Sequence, residues 1–325
     1  MNSFNIDSLK NGIKVITRQS PNTPRIAINL FMGTGAKFEK KAGVANLTSR
    51  LLLQGTAART AEELANELDS NAIELGVESK QDYMRARTLF LNEDFDKAID
   101  LLEDTLKNST FENIEKEKTK FIGELQVELD SPKTLAFDNL IKTIFYNHPY
   151  GHSHTEILES LPCLTVEDVQ DYYFKESFVP EKMIFSVVGD VDRERILRVL
   201  DERFGSISAA NGSSVDVPVP ELPENRLVTI SRVDAAQAQV VKGWIGPSIS
   251  DEDFPAVTLL NMILGSSGLS SRLFVELRDK KGLAYHVRSS LEALKHLGLL
   301  TVYIGTAPGN INTCLEGFET EINKL

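Results

Sequence analysis

His148, His152 and His154 are the densest set of metal-ligating side chains, within Asn147-His-Pro-Tyr-Gly-His-Ser-His154. Three imidazoles suit zinc when a rigid element aims them at one point. Here Pro149 makes the spacing that of a loop, and no carboxylate lies inside it. The reading is a structural loop. His286 and His296, the other two histidines, are isolated. Gly265-Ser-Ser-Gly268 before Leu269-Ser-Ser-Arg272 suggests a phosphate loop, but it lacks the Gly-Lys-Ser/Thr ending and follows a helix. Cys163 and Cys314 lie in different halves without a CxxC pair, so they read as buried structural thiols. Arg278 and Tyr285 bracket a glycine turn at Gly282. By spacing alone they are a solvated helix residue and a half-buried strand residue. No Ser–His–Asp or Cys–His set stands behind an independent hydrolase.

These residues sit in a chain of 325, 42% hydrophobic and 25% charged, with net charge −12. The length predicts two domains. So acidic a surface disfavours phosphate backbones and anionic membranes, so neither nucleic acid nor membrane is expected as a partner. No apolar run reaches the length of a spanning helix. The first residues carry neither a basic nor an apolar leader region. The chain as written therefore reads as cytoplasmic, with periplasm or organelle open if a targeting segment has been removed.

The elements that position these residues come twice. Alternating runs around Asn11-Gly12 predict a hairpin over 4–19, and Ile26 to Met32 is a third strand. Leu47, Leu51 and Leu52 give a helix after Gly43. Thr60 with Glu63 makes a capping box for 61–69. A strand over 82–91 precedes helices over 93–106, 111–129 and 132–146. The alternating charges of Glu115 to Lys120 read as an exposed helix face. Helix 165–174, strand 183–191 and helix 193–204 follow. The small and Pro-rich stretch 208–224 is a linker. Then the order restarts: strands at 226–232 and 237–244, helices at 253–264 and 271–280, strands at 284–292 and 297–305, and a helix from Asn310. We read an α+β fold of two homologous domains, each an antiparallel sheet packed with helices. Their expected bounds are 1–207 and 225–325, the second C-terminally incomplete.

In their order, several segments resemble the pitrilysin and mitochondrial-processing-peptidase family of zinc metallopeptidases. They are Asn11-Gly-Ile-Lys-Val-Ile16, Gly43-Val-Ala45, Gln54-Gly-Thr-Ala-Ala-Arg-Thr60, Asn147-His-Pro-Tyr-Gly151, Val188-Gly-Asp-Val191, Ser270-Ser-Arg-Leu-Phe274 and Leu277-Arg-Asp-Lys-Lys-Gly-Leu-Ala-Tyr285. That family places His-x-x-Glu-His on a helix, two imidazoles gripping zinc and the glutamate activating water. Here the three positions hold Asn46, Ser49 and Arg50. A fixed guanidinium stands where a dication would bind. Glu124 and Glu117 match the family's downstream ligand and its supporting glutamate, and Glu124 is expected to approach Arg50. No metal is expected in this chain.

What the resemblance retains is the arginine–tyrosine pair. It implies that Tyr285 donates to the scissile carbonyl and Arg278 holds a neighbouring one. It further implies the non-catalytic, substrate-binding subunit of a heterodimer. A homologous partner would carry the zinc, and an unfolded peptide would lie as an added strand between the partner's first domain and this chain's second. The alternative is a structural or chaperone-like core subunit with no part in hydrolysis.

Overall fold

The computed structural model describes residues 4–208, 214–222, 224–233 and 235–325. Two compact units emerge: Met1–Gly123 with Ile157–Val215, and Glu124–Glu156 with Asp216–Leu325. Residues 124–156, which the sequence reading counts with the first half, cluster with the second unit.

The strands of the first unit are β1 (Asn5–Ser8), β2 (Lys14–Gln19), β3 (Arg25–Met32), β4 (Glu74–Ser79), β5 (Met84–Leu91) and β6 (Met183–Gly189). They form one sheet in the order β1-β2-β6-β3-β5-β4. All neighbours are antiparallel except β2 and β6, which run parallel. Strict alternation seats β3: Ile26, Ile28, Leu30 and Met32 are fully buried while their neighbours are half-exposed. The expected two-residue turn at Asn11-Gly12 is a longer loop, because β1 ends at Ser8 and β2 starts at Lys14. Asn11 instead donates from Nδ2 to the carbonyls of Phe204 and Ile207, which ties the loop to the end of a distant helix.

Between β3 and β4 lie α1 (Val44–Leu51) and α2 (Ala61–Ser70); α3 (Phe95–Asn108) follows β5. The capping box at α2 is present, with Thr60 accepting from the Glu63 backbone and Glu63 from that of Thr60. Then come α4 (Ile114–Asp130), α5 (Pro132–Ile144), α6 (His154–Ser160), α7 (Val166–Asp171) and, after β6, α8 (Arg193–Phe204). In α4 the charged run is mostly exposed, as its alternation suggested, at Glu115, Lys116, Thr119 and Lys120. Glu117 and Lys118 are buried, and the Lys118 ammonium donates to the Leu164 carbonyl and to Glu115. Cys163 is exposed, not buried, because the short turn Leu161–Cys163 turns Leu161 and Leu164 inward.

In the second unit β7 (Ala238–Gly246), β8 (Ala284–Ala293) and β9 (Gly298–Thr306) form an antiparallel sheet in the order β7-β9-β8. Helix α9 (Phe254–Asn261) and a π-helical segment Phe274–Lys280 lie between β7 and β8, and α10 (Ile311–Ile322) follows β9. This repeats β3-β5-β4 with α1, α2 and α3, strand for strand. On one face of the sheet Leu264, Leu277, Val287, Val302, Ile304 and Phe318 form a core. On the other, Ile144, Phe145, Tyr150 and Leu299 form a second. The central strand β9 is therefore buried on both faces and reads as a nearly continuous apolar run.

The strand expected at 226–232 does not form. In the first unit β2 joins the sheet only through β6, which lies between it and β3. Among the described residues of the second unit no strand takes the β6 place beside β7. Residues 226–232 therefore lack a pairing neighbour.

Candidate functional site

Helix α1 carries Asn46, Ser49 and Arg50, the three positions that the resemblance matches to a zinc motif. Its N-terminus is held by Glu39, whose carboxylate accepts from the backbone N–H of Gly43 and Ala45, at 2.8 Å each. Asn46 is half-buried. Ser49 is buried and donates its hydroxyl back to the Asn46 carbonyl at 2.8 Å. The Arg50 guanidinium lies 4.2 Å from the centroid of Phe121 in α4, one turn beyond the buried Glu117. Glu124, half-buried, belongs to the second unit. Among the described residues no group of three or more His, Cys, Asp or Glu has the geometry of a metal site. An amide, a serine bonded to its own helix and a guanidinium do not fit zinc, which takes imidazole, thiolate or carboxylate donors.

The rings of the histidine loop have separate neighbours rather than one common point. His148 accepts from the Tyr150 N–H at Nδ1, so its Nε2 carries the proton and donates to the Pro218 carbonyl at 2.7 Å. His152 lies 3.7 Å from Glu156 and His154 3.6 Å from Glu128.

Arg278 and Tyr285 are brought together. The segment Phe274–Lys280 ends where Gly282 takes φ +61, a left-handed conformation that favours glycine. The Gly282 and Leu283 amides bond back to the Arg278 and Leu277 carbonyls, both at 2.9 Å. The chain then reverses into β8. There Ala284 pairs with Thr306 and His286 with Gly305, so Tyr285 is the extra residue of a β-bulge. A bulge re-aims a side chain without disturbing the register beyond it. Tyr285 is accordingly 82% exposed, although it is flanked by paired residues. The Arg278 guanidinium lies between the rings of Phe274, at 4.4 Å, and Tyr285, at 4.8 Å. Such stacking contributes about 0.5–1 kcal/mol at exposed sites and fixes the plane of the fork. The result is an exposed hydroxyl donor on the edge strand β8 beside a half-buried planar cationic donor from the segment Phe274–Lys280.

Beyond the bulge, His286, Arg288, Ser290 and Glu292 point to one face of β8, and Val287 and Ser289 are buried on the other. Tyr303, opposite Arg288 on β9, anchors this face by donating to Gln239 at 2.6 Å. The His286 ring stands edge-on to it at 5.4 Å, and the Lys133 ammonium lies 5.0 Å from its centroid. Burial, then the charges of Lys133, Arg288 and Arg278, hold His286 below its ordinary value of 6.5. Burial and Arg288 lower Lys133 in the same way. The sequence reading passed over His286 as isolated, since Lys133 approaches it from a distant part of the chain. The first unit offers a separate feature that was also missed. The edge strand β4 borders a groove of 620 Å³ lined by Leu68, Ile73, Leu75, Glu78 and Arg87 among others.

Residues 14–156 match the family model for insulinase (peptidase family M16), and residues 164–325 match the model for the peptidase M16 inactive domain. An uncharacterized zinc protease of Rickettsia felis is 29% identical, across 99% of this chain and 78% of the relative. The uncharacterized zinc protease YmxG of Bacillus subtilis is 26% identical, across 97% of this chain and 77% of the relative. Among solved structures, the fold is shared with a peptidase M16 inactive domain from Pseudomonas fluorescens. The TM-score is 0.90 at 22% identity, covering 99% of this chain and 79% of the other. It is also shared with a chain of complex III2 from Candida albicans, with TM-score 0.80 at 15% identity, covering 99% and 76%.

Proposed function

The chain belongs to the peptidase M16 family, and from that premise we propose that it is the non-catalytic, substrate-handling subunit of a heteromeric zinc metallopeptidase. The observation that carries this reading is the asymmetry between its two candidate sites. The zinc-motif helix holds Asn46, Ser49 and Arg50, whereas Tyr285 is presented on a bulge with Arg278 stacked against it.

In this reading a homologous partner with an intact zinc motif supplies the metal and the base. This chain supplies hydrogen bonds. An extended, unfolded peptide lies along an open sheet edge, with its backbone amides satisfied by added-strand pairing. The Tyr285 hydroxyl donates to the scissile carbonyl oxygen as negative charge develops there. A donor fixed in place before the charge appears is worth about 3–4 kcal/mol. The Arg278 fork holds a neighbouring carbonyl, which sets the register of the peptide.

The test is reconstitution with a zinc-motif relative. Tyr285→Phe in this chain should lower kcat by about 100-fold with little change in KM, because the hydrogen bond is made in the transition state. Unchanged turnover of that variant in an active assembly would remove the catalytic role.

The likeness to a chain of the Candida albicans complex III2 favours a second reading, a structural core subunit with no part in hydrolysis. Under it, the double variant Arg278→Ala, Tyr285→Phe assembles with full activity.

A further inference from the structure

Positive charge gathers beside the Arg278–Tyr285 pair of this acidic chain. Lys133 arrives from α5, and His286 and Arg288 alternate outward along β8. Lys133 and His286 both stand against the Tyr303 ring, and Arg288 is its direct cross-strand neighbour. Among the described residues no carboxylate pairs with Lys133, Arg278 or Arg288. On the same face of β8 the next acid is Glu292, four positions beyond Arg288 and so about 13 Å away along the strand. Like charges gathered at one place destabilise a fold unless an anion joins them, so the cluster is costly in the free protein. Its members feel that cost: burial first and Arg288 next hold Lys133 toward its neutral form, and burial first, then Lys133, Arg288 and Arg278, do the same to His286. A long ammonium, a guanidinium fork and an imidazole together are the donor set that holds a carboxylate by charge-assisted hydrogen bonds.

We propose that Lys133, His286 and Arg288 form a carboxylate subsite next to Tyr285, which selects peptides with an acidic group near the bond presented to Tyr285. The proposal rests on the peptide-binding reading above and deepens it by naming a substrate class. The carboxylate belongs either to an Asp or Glu side chain or to a free peptide C-terminus. Tyr303 is a positioning residue: its hydroxyl is engaged with Gln239, and its ring sets where Lys133 and His286 stand.

The experiment is fluorescence anisotropy with the 325-residue chain and labelled extended peptides of one apolar sequence. One has a central Glu, one a Gln and one a Lys, each with a free or an amidated C-terminus. The Glu peptide should bind about fivefold more tightly than the Gln peptide, with the gap closing toward about 0.5 M salt. If the gap instead follows the free C-terminus, the terminal carboxylate is the group recognised. Lys133→Gln with Arg288→Gln should abolish the gap while Gln-peptide binding persists, and Arg288→Glu should turn the preference toward the Lys peptide. Equal binding of charged and neutral peptides by the unmodified chain, or a preference that survives these substitutions, overturns the subsite alone. Failure of every peptide to bind overturns the peptide-binding reading, and the subsite with it.

Discussion

Tyr285 and His286 are consecutive, and both face solvent, which a regular strand forbids because successive side chains alternate. The bulge resolves this, placing a neutral donor and a titrating ring side by side. The titration of His286 is open to a direct check. Its folded-state value lies below 6.5, so the proton binds the unfolded chain more readily. Its contribution to stability is therefore complete above about pH 6.5 and is lost as pH falls from there through the folded value. Arg288→Gln removes one of the charges responsible, so the His286 midpoint, followed by the NMR shift of its ring protons, should rise. An unmoved midpoint would remove Arg288 from the charges that set it. Of this constellation, Arg278 and Tyr285 were legible in the sequence through their resemblance to a known pair. The bulge was not, because it is a mismatch between β8 and β9 that neither strand shows by itself. Nor was the company of His286, since Lys133 reaches it only through the packing of α5 on the sheet.

At the scale of elements, the segment from Gln54 to Thr60 is held by one arginine. Arg59 donates to Glu67 at 3.0 Å, Asp100 at 2.9 Å and the buried Asp104 at 2.6 Å, and Thr56 also donates to Asp104. Arg59→Met leaves that buried carboxylate short of its countercharge and should cost about 3 kcal/mol. Removing only the helix cap, Thr60→Ala, should cost about 1 kcal/mol. Urea denaturation of the two variants measures the difference, and equal losses would show that the ion-pair network holds this segment no more strongly than the cap does. Local signals foretold elements that rest on local physics: the capping box at Thr60, the helix opened by Pro132, the alternation of β3. They misled where pairing decides. β4, Glu-Leu-Gly-Val-Glu-Ser, is short, with only Leu75 and Val77 apolar and a glycine between them, and the sequence reading passed over it, yet β5 holds it at the sheet edge. Residues 226–232 have the composition of a strand and remain unpaired, because what would pair them is not local.

At the scale of the molecule, the duplication is the organising fact. β3-β5-β4 and β7-β9-β8 share order, direction and intervening helices, so one α+β unit has been used twice. The restart after the linker was visible in the sequence. The grouping of 124–156 with the second unit was not, since α5 packs on β7 rather than on the sheet that precedes it in the chain. Among the described residues no helix is long and apolar enough to cross a membrane. The proposed division of labour makes a prediction at this scale. Mixed with a zinc-motif homologue, the chain should co-elute as a one-to-one complex on size exclusion with light scattering. By itself it should retain far less than one equivalent of zinc by elemental analysis. Stoichiometric zinc and chelator-sensitive peptide cleavage by the isolated chain would defeat the assignment.

The extra residue in β8 carries a further consequence. Val287, Ser289 and Leu291 take their inward orientation from register established after the bulge, not from Tyr285 itself. An in-frame loss of the single codon for Tyr285 would thus close the kink into plain pairing and leave the apolar interior where it is. Such a descendant would fold as its parent does while lacking the exposed hydroxyl at this place, so a lineage could lose this one donor in a single genetic event and keep its architecture.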